Sequence, residues 1–201
     1  MNARIVELTV ESPVDRWREL GLHIDDDGVA QIGGVRLRFV PGDRGVVGWG
    51  LDGSATAATD IDGLATTHVA ACDGEPHPHP LRVLGFDHVV VMTSSLERTC
   101  GAIEAATGAE LRRIREAGPV RQGFHRLGEV IVEVVESERF TLPTAAFWGF
   151  VWNVEDLYAA CDHLGPERVG LPKSAVQSGR FIATVRSAAA PGVALALMTP
   201  R

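Results

Sequence analysis

The sequence predicts an α+β protein assembled from repeated βαβββ modules, and three observations carry that prediction. The run Phe86-Asp87-His88-Val89-Val90-Val91-Met92 and the helix start after it recur in outline at residues 147–158, beginning Phe147-Trp148-Gly149-Phe150. A second pair of segments, residues 130–135 and 193–198, repeats at nearly the same period: His88 and Gly149 are 61 residues apart, Glu133 and Ala196 are 63 apart. With 45% hydrophobic and 22% charged residues, the 201-residue chain also has the balance of a folded globular protein, which excludes a disordered one. A unit repeated at a fixed period cannot bury its apolar face alone, so the copies are expected to pack together.

At the N-terminus, residues 5–10 read as a strand, and Ser12-Pro13 opens a helix through Leu20, proline suiting a first helical turn. Residues 28–32, 35–40 and 46–51 supply three strands, with Gly33-Gly34 as a hairpin turn. Residues 1–55 are therefore a smaller βαβββ module. Asp25-Asp26-Asp27-Gly28 lacks the alternating oxygen donors of a calcium loop and reads as a turn. Residues 56–80 have weak periodicity and end in Pro76-His77-Pro78-His79-Pro80, the composition of a solvated surface linker and of a domain boundary.

In the central copy, residues 87–92 form a β-branched run, and Ser94 or Ser95 with Glu97 starts a helix over 96–107 that Gly108 ends. Residues 111–116, 121–127 and 130–136 follow as strands, the last two joined at Gly128. The C-terminal copy repeats the order: a strand at 147–154, a helix at 155–164 ended by Gly165, a weak strand at 168–170, and strands at 181–186 and 193–198 joined through Pro191-Gly192. Residues 81–201 are thus expected to be one domain of two modules, 86–136 and 147–198.

A formal charge of −7 offers no basic face to phosphates, so nucleic acid and anionic membrane are excluded as expected partners and a small molecule is the default. The N-terminus has no cationic segment leading into an apolar core, and no run reaches the roughly 18 to 20 apolar residues of a membrane span, which points to the cytoplasm. Cys72, Cys100 and Cys161 are odd in number and fit no zinc motif, so they read as reduced and structural. Lys173, the single lysine, carries no functional reading.

Strand alternation places the polar residues. His88, Val90 and Met92 share one face of their strand, and Ile131, Glu133 and Val135 share one face of theirs. A tight hairpin at Gly128 puts Gln122, Phe124 and Arg126 on the face of Glu133, leaving Val89, Val91, Val132 and Val134 to pack under the helix. The same parity sends Gly149, Val151, Asn153, Arg180, Ile182, Thr184, Ala194, Ala196 and Met198 to the cavity face of the other copy. Trp148 and Trp152 flank Phe150 on the opposite, core-facing parity.

Paired βαβββ modules with Asp87-His88 opening the first strand and Val132-Glu133-Val134 in the last resemble the vicinal oxygen chelate superfamily, which includes glyoxalase I, extradiol dioxygenases and bleomycin-resistance proteins. The resemblance covers residues 85–199 by motif and repeat, and residues 1–55 by element order. It implies a curved sheet enclosing a cavity and, in the metal enzymes, a divalent ion held from first-strand and last-strand positions. His88 and Glu133 match those positions, whereas Gly149 and Ala196 cannot coordinate.

Two donors fall short of the three protein ligands usual in a catalytic metal site. His88 and Glu133 are therefore expected as hydrogen-bonded cavity residues, able to act as a base and its orienting partner. The alternative is a metal completed by another side chain, substrate or water, so the cofactor is either none or one divalent ion. Met92, Gln122, Phe124, Arg126, Asn153, Arg180 and Met198 are the candidate ligand-binding residues. Arg180 could grip a carboxylate or enol oxygen with its fork or reach solvent from a strand end; Arg126 reads as a rim residue. The small residues Gly149, Ala194 and Ala196 leave volume for an apolar ligand, or else Met92, Phe124 and Met198 fill it. The expected function is a glyoxalase-like small-molecule-binding protein. The alternatives are a metal-dependent lyase, isomerase or dioxygenase, and a structural protein with a vestigial cavity. A homodimer is also expected, because the N-terminal module lacks a fourth partner within the chain and would leave a sheet edge open.

Overall fold

The computed structural model describes residues 3–71, 77–190 and 192–201; Cys72, Pro76 and Pro191 lie outside them. The chain runs β1 (Arg4–Glu11), α1 (Val14–Glu19), β2 (Val29–Ile32), β3 (Val35–Val40), β4 (Gly45–Asp52), β5 (Asp60–Ile61), β6 (Leu64–His68), β7 (Val83–Thr93), α2 (Leu96–Thr107), β8 (Arg113–Ala117), β9 (Val120–Leu127), β10 (Val130–Ser137), β11 (Ala146–Val154), α3 (Leu157–Leu164), β12 (Lys173–Ser174), β13 (Phe181–Thr184) and β14 (Ala194–Met198). The class is α+β, as expected.

The two long modules form one eight-stranded sheet in the order β12-β13-β14-β11-β7-β10-β9-β8. In each, the first strand lies parallel to the last, β7 beside β10 and β11 beside β14, and the two first strands meet antiparallel. Helix α2 starts where Ser95 Oγ accepts from the Arg98 amide and Glu136 Oε1 from the Leu96 amide, and it stops at Gly108 in the left-handed conformation. Its apolar face and Val89, Val91, Val132 and Val134, all fully buried, close over one another. The weak strand expected at 168–170 is only a bridge, Val169 to Val185; the edge strand is β12, further along.

The N-terminal region keeps the element order β1-α1-β2-β3-β4 but pairs differently from the expectation. β4 does not extend the β3 side; it lies antiparallel to β1, as β11 does to β7. It then runs parallel to β6, which pairs with β5, giving the sheet order β2-β3-β1-β4-β6-β5. Residues 4–68 thus contain two shortened units facing each other in the manner of the long pair. Residues 60–68, expected in a surface linker, are strands instead, because Ile61 and Leu64 bury on either side of an Asp62-Gly63 turn with φ of 53° and 92°. Asp-Gly between apolar residues is a strong hairpin signal.

Both sheets share one core. Trp17 of α1 is fully buried between Phe39 of the short sheet, at 5.3 Å, and Phe150 and Trp152 of the long one, at 6.1 and 6.0 Å. Trp49 meets Phe147 edge-on at 5.3 Å. The short sheet also accepts the end of α2: the Ala3 amide donates to the Thr107 carbonyl and the Ala55 amide to that of Ala106. No helix among the described residues is long and apolar enough to cross a membrane.

Pairing between β7 and β11 breaks register three times. The leftover residues are Trp148, Asp87 and Leu84. A bulged residue is re-aimed. Trp148, expected in the core, is therefore 52% exposed, while Phe150 and Trp152 are fully buried.

Candidate functional site

The outermost strands β8 and β12 both line a single cavity of about 940 Å³, so the eight-stranded sheet curls until its two edges border the same space. Strand register explains who looks in. His88 pairs with Ile131 and that with Arg126; Glu133 pairs with Phe124 and that with Arg113; Gln122 pairs with Arg115. Side chains directly opposite one another share a face, so these residues form ladders on the concave side.

A polar chain crosses the floor. The buried Asp87 carboxylate receives Arg180 Nη2 at 2.8 Å and stands 2.9 Å from His88 Nδ1; His88 Nε2 stands 3.3 Å from Glu133 Oε2, and Gln122 donates to Glu133 Oε1. Burial alone would raise the Asp87 carboxyl, but hydrogen bonds from His88 and Arg180 hold it well below the usual carboxylate range. The pair expected from the sequence, His88 and Glu133, is hydrogen-bond close and inside the cavity.

Gln122, Phe124, Arg126 and Met198 also line the cavity. Met198 does so from an apolar patch with Val151, Ala196 and Ile182. Met92, Asn153 and Arg180 do not. Arg180, expected to face the ligand, is 7% exposed and spent on support: Asp87, Asn153 Oδ1 at 2.7 Å, the Thr199 carbonyl at 2.9 Å and Gln177. A guanidinium on an inward strand end next to a buried carboxylate is captured by it.

The alternation rule missed Asp87 because a residue beside His88 should face away; with the bulge at Asp87 both line the cavity, Asp87 against Arg180. It also gave no role to Arg112, Arg113, Arg115 and Lys173, which line the walls. The sequence signal for the arginines was the alternation of Arg113 and Arg115 on a strand paired with Phe124 and Gln122.

The donor set does not fit a divalent metal. Among the described residues no group of three His, Cys, Asp or Glu side chains could hold an ion. At Gly149 a Cβ would lie 2.0 Å from the Ala194 carbonyl oxygen, so that position has no room for any side chain, and Ala196 sits in the apolar patch.

No protein-family model matches this sequence, and no curated protein sequence matches it. Solved structures do. Methylmalonyl-CoA epimerase from Mycobacterium tuberculosis superposes with a TM-score of 0.52 at 16% identity, over 62% of this chain and 93% of its own. A hypothetical protein from Bacillus halodurans gives 0.49 at 14% identity, over 58% and 94%. A methylmalonyl-CoA epimerase from Streptomyces coelicolor gives 0.47 at 17%, over 57% and 95%. At such identity the likeness is one of fold, the glyoxalase-like βαβββ arrangement.

Proposed function

We propose that this chain is a glyoxalase-like protein that binds a small organic molecule between its long modules, using His88 as proton acceptor and no resident metal. The observation that carries the reading is the His88 ring held between two carboxylates at the cavity floor. The Nδ1 proton donated to Asp87 fixes the tautomer and leaves Nε2 as the basic nitrogen on the cavity side; once Nε2 has taken a proton it can donate to Glu133 Oε2, 3.3 Å away. A ligand C–H or O–H brought to Nε2 could pass its proton to that nitrogen, with Glu133 to share it. Asp87 is a positioning residue for the ring, and Arg180 keeps Asp87 charged.

Ile131 lines the cavity opposite His88, so Ile131→Trp fills it without changing charge. A thermal-shift screen of small acids, ketones and esters is expected to find ligands that stabilise the wild type and not this variant; ligands that stabilise both equally would place binding elsewhere. For such a ligand, hydrogen exchange at its acidic carbon in D2O should vanish in His88→Gln, and unchanged exchange would remove His88 from proton transfer. Elemental analysis of protein purified without a histidine tag should find no stoichiometric divalent metal. One equivalent, lost in His88→Ala, would overturn this reading for a metal-dependent lyase, isomerase or dioxygenase.

A further inference from the structure

The chain carries a formal net charge of −7, yet one wall of its cavity is basic. Arg112, Arg113, Arg115 and Arg126 line the β8–β9 side, and Lys173 lines the edge formed by β12. None of the five has a carboxylate within ion-pair distance among the described residues, whereas Arg4, Arg38, Arg44 and Arg98 each have one and Arg121 has three. Unpaired like charges around a concave surface repel one another and focus a positive potential into it. Charge placed merely to protect an edge strand need not choose a face. Here Arg113 and Arg115 share the face of Phe124 and Gln122, while the residue between them that points away, Ile114, is apolar and 45% exposed.

Resting on the small-molecule reading above, we infer that this wall is a subsite for a phosphate or diphosphate group of an elongated organic ligand. A single carboxylate is satisfied by one guanidinium fork; this many unpaired cations suits a group with several anionic oxygens. β8 lies three strands from β7, about 14 Å at the usual spacing of strands, so the anionic end and the atom presented to His88 are at opposite ends of the ligand.

Titration calorimetry of the full chain with inorganic pyrophosphate and with inorganic phosphate tests this. Binding is expected, weakening with added salt, and Arg113→Glu/Arg115→Glu should lower affinity at least about tenfold, roughly one to two lost charge-assisted hydrogen bonds. Arg139→Glu/Arg168→Glu, at two exposed arginines outside the cavity, makes the same change of net charge and should change affinity less than about twofold. Pyrophosphate much tighter than phosphate identifies a diphosphate subsite; equal affinities identify a single phosphate, and both support the proposal. Failure of both anions to bind, or equal weakening by the control, would overturn it. A neutral ligand displaced by Ile131→Trp while neither anion binds would sink this inference and leave the cavity reading standing.

Discussion

Asp87 is 1% exposed, and a carboxylate so buried persists only where its charge is met. Arg180→Met would strand it, and we expect a loss of about 3 kcal/mol at neutral pH by urea denaturation; a variant as stable as wild type would show that His88 and Arg201 suffice. Because the folded carboxyl titrates below its unfolded value of 3.8, its contribution is whole above that pH and is lost as the pH falls further. His79 governs a different window. Burial, with His163 nearby, lowers its imidazole from 6.5 to about 4, so the unfolded chain takes up the proton first. Stability should therefore fall as pH drops from 6.5 to about 4 and level below, by about 2 kcal/mol after solvent screening. His79→Phe, which keeps the edge-on contact with Trp152, should flatten that interval in denaturation midpoints. An equally steep decline in the variant would assign the slope to other groups.

Helices α2 and α3, capped by Ser95 and Asp156, and the hairpins follow local rules, but the central pair β7 and β11 does not, and its three bulges shape the site. One turns Asp87 onto His88, and another lets Gly149 approach β14. Gly149→Ala would drive a methyl into the Ala194 carbonyl of the neighbouring backbone, so the two strands must separate. We expect a loss of about 1–3 kcal/mol in chemical denaturation, the usual cost of overpacking. An unchanged midpoint would mean that β14 slides freely. The Asp62-Gly63 turn acts similarly at longer range: Asp62 accepts from Arg98 and Thr99 of α2, and its carbonyl from the Ala145 amide, tying the short sheet to the helix of the long one.

At the scale of the molecule, the chain holds two sheets of related order over one core. The corresponding outer face of the short sheet is occupied by Glu7 clamped between Arg36 and Arg38, whereas the long sheet curls around a cavity. Removing residues 1–80 would uncover Phe147, Phe150 and Trp152 and unpartner the end of α2. The remaining 81–201 fragment is expected to bind a hydrophobic dye and lose its cooperative transition; a fragment that unfolds cooperatively like the full chain would show that the sheets are energetically separate. Within the chain, β4, β6 and β5 continue the short sheet on the open side of β1, where a second copy was expected to pair. Light scattering should give a mass near 21.5 kDa. Twice that mass at micromolar concentration would restore the dimer.

The amino-acid sequence by itself determined what depends on local period and on repetition. Matching markers about 61 to 63 residues apart set two equivalent βαβββ units, and strand alternation brought His88, Glu133, Gln122, Phe124 and Arg126 to one face. Ser95 and Gly108 bounded α2 because caps are read from single residues. Tertiary structure decided the rest. A bulge shifts parity by one residue and is set by how two strands meet, so Asp87 and Trp148 were placed on the wrong sides by alternation. Arg180 was drawn inward by a carboxylate 93 residues away in sequence. β4 exchanged an edge on β3 for one on β1, because pairing partners are chosen by which apolar faces can close together. The cavity, and the basic wall facing into it, exist only once the sheet has curled until its edge strands β8 and β12 border one space.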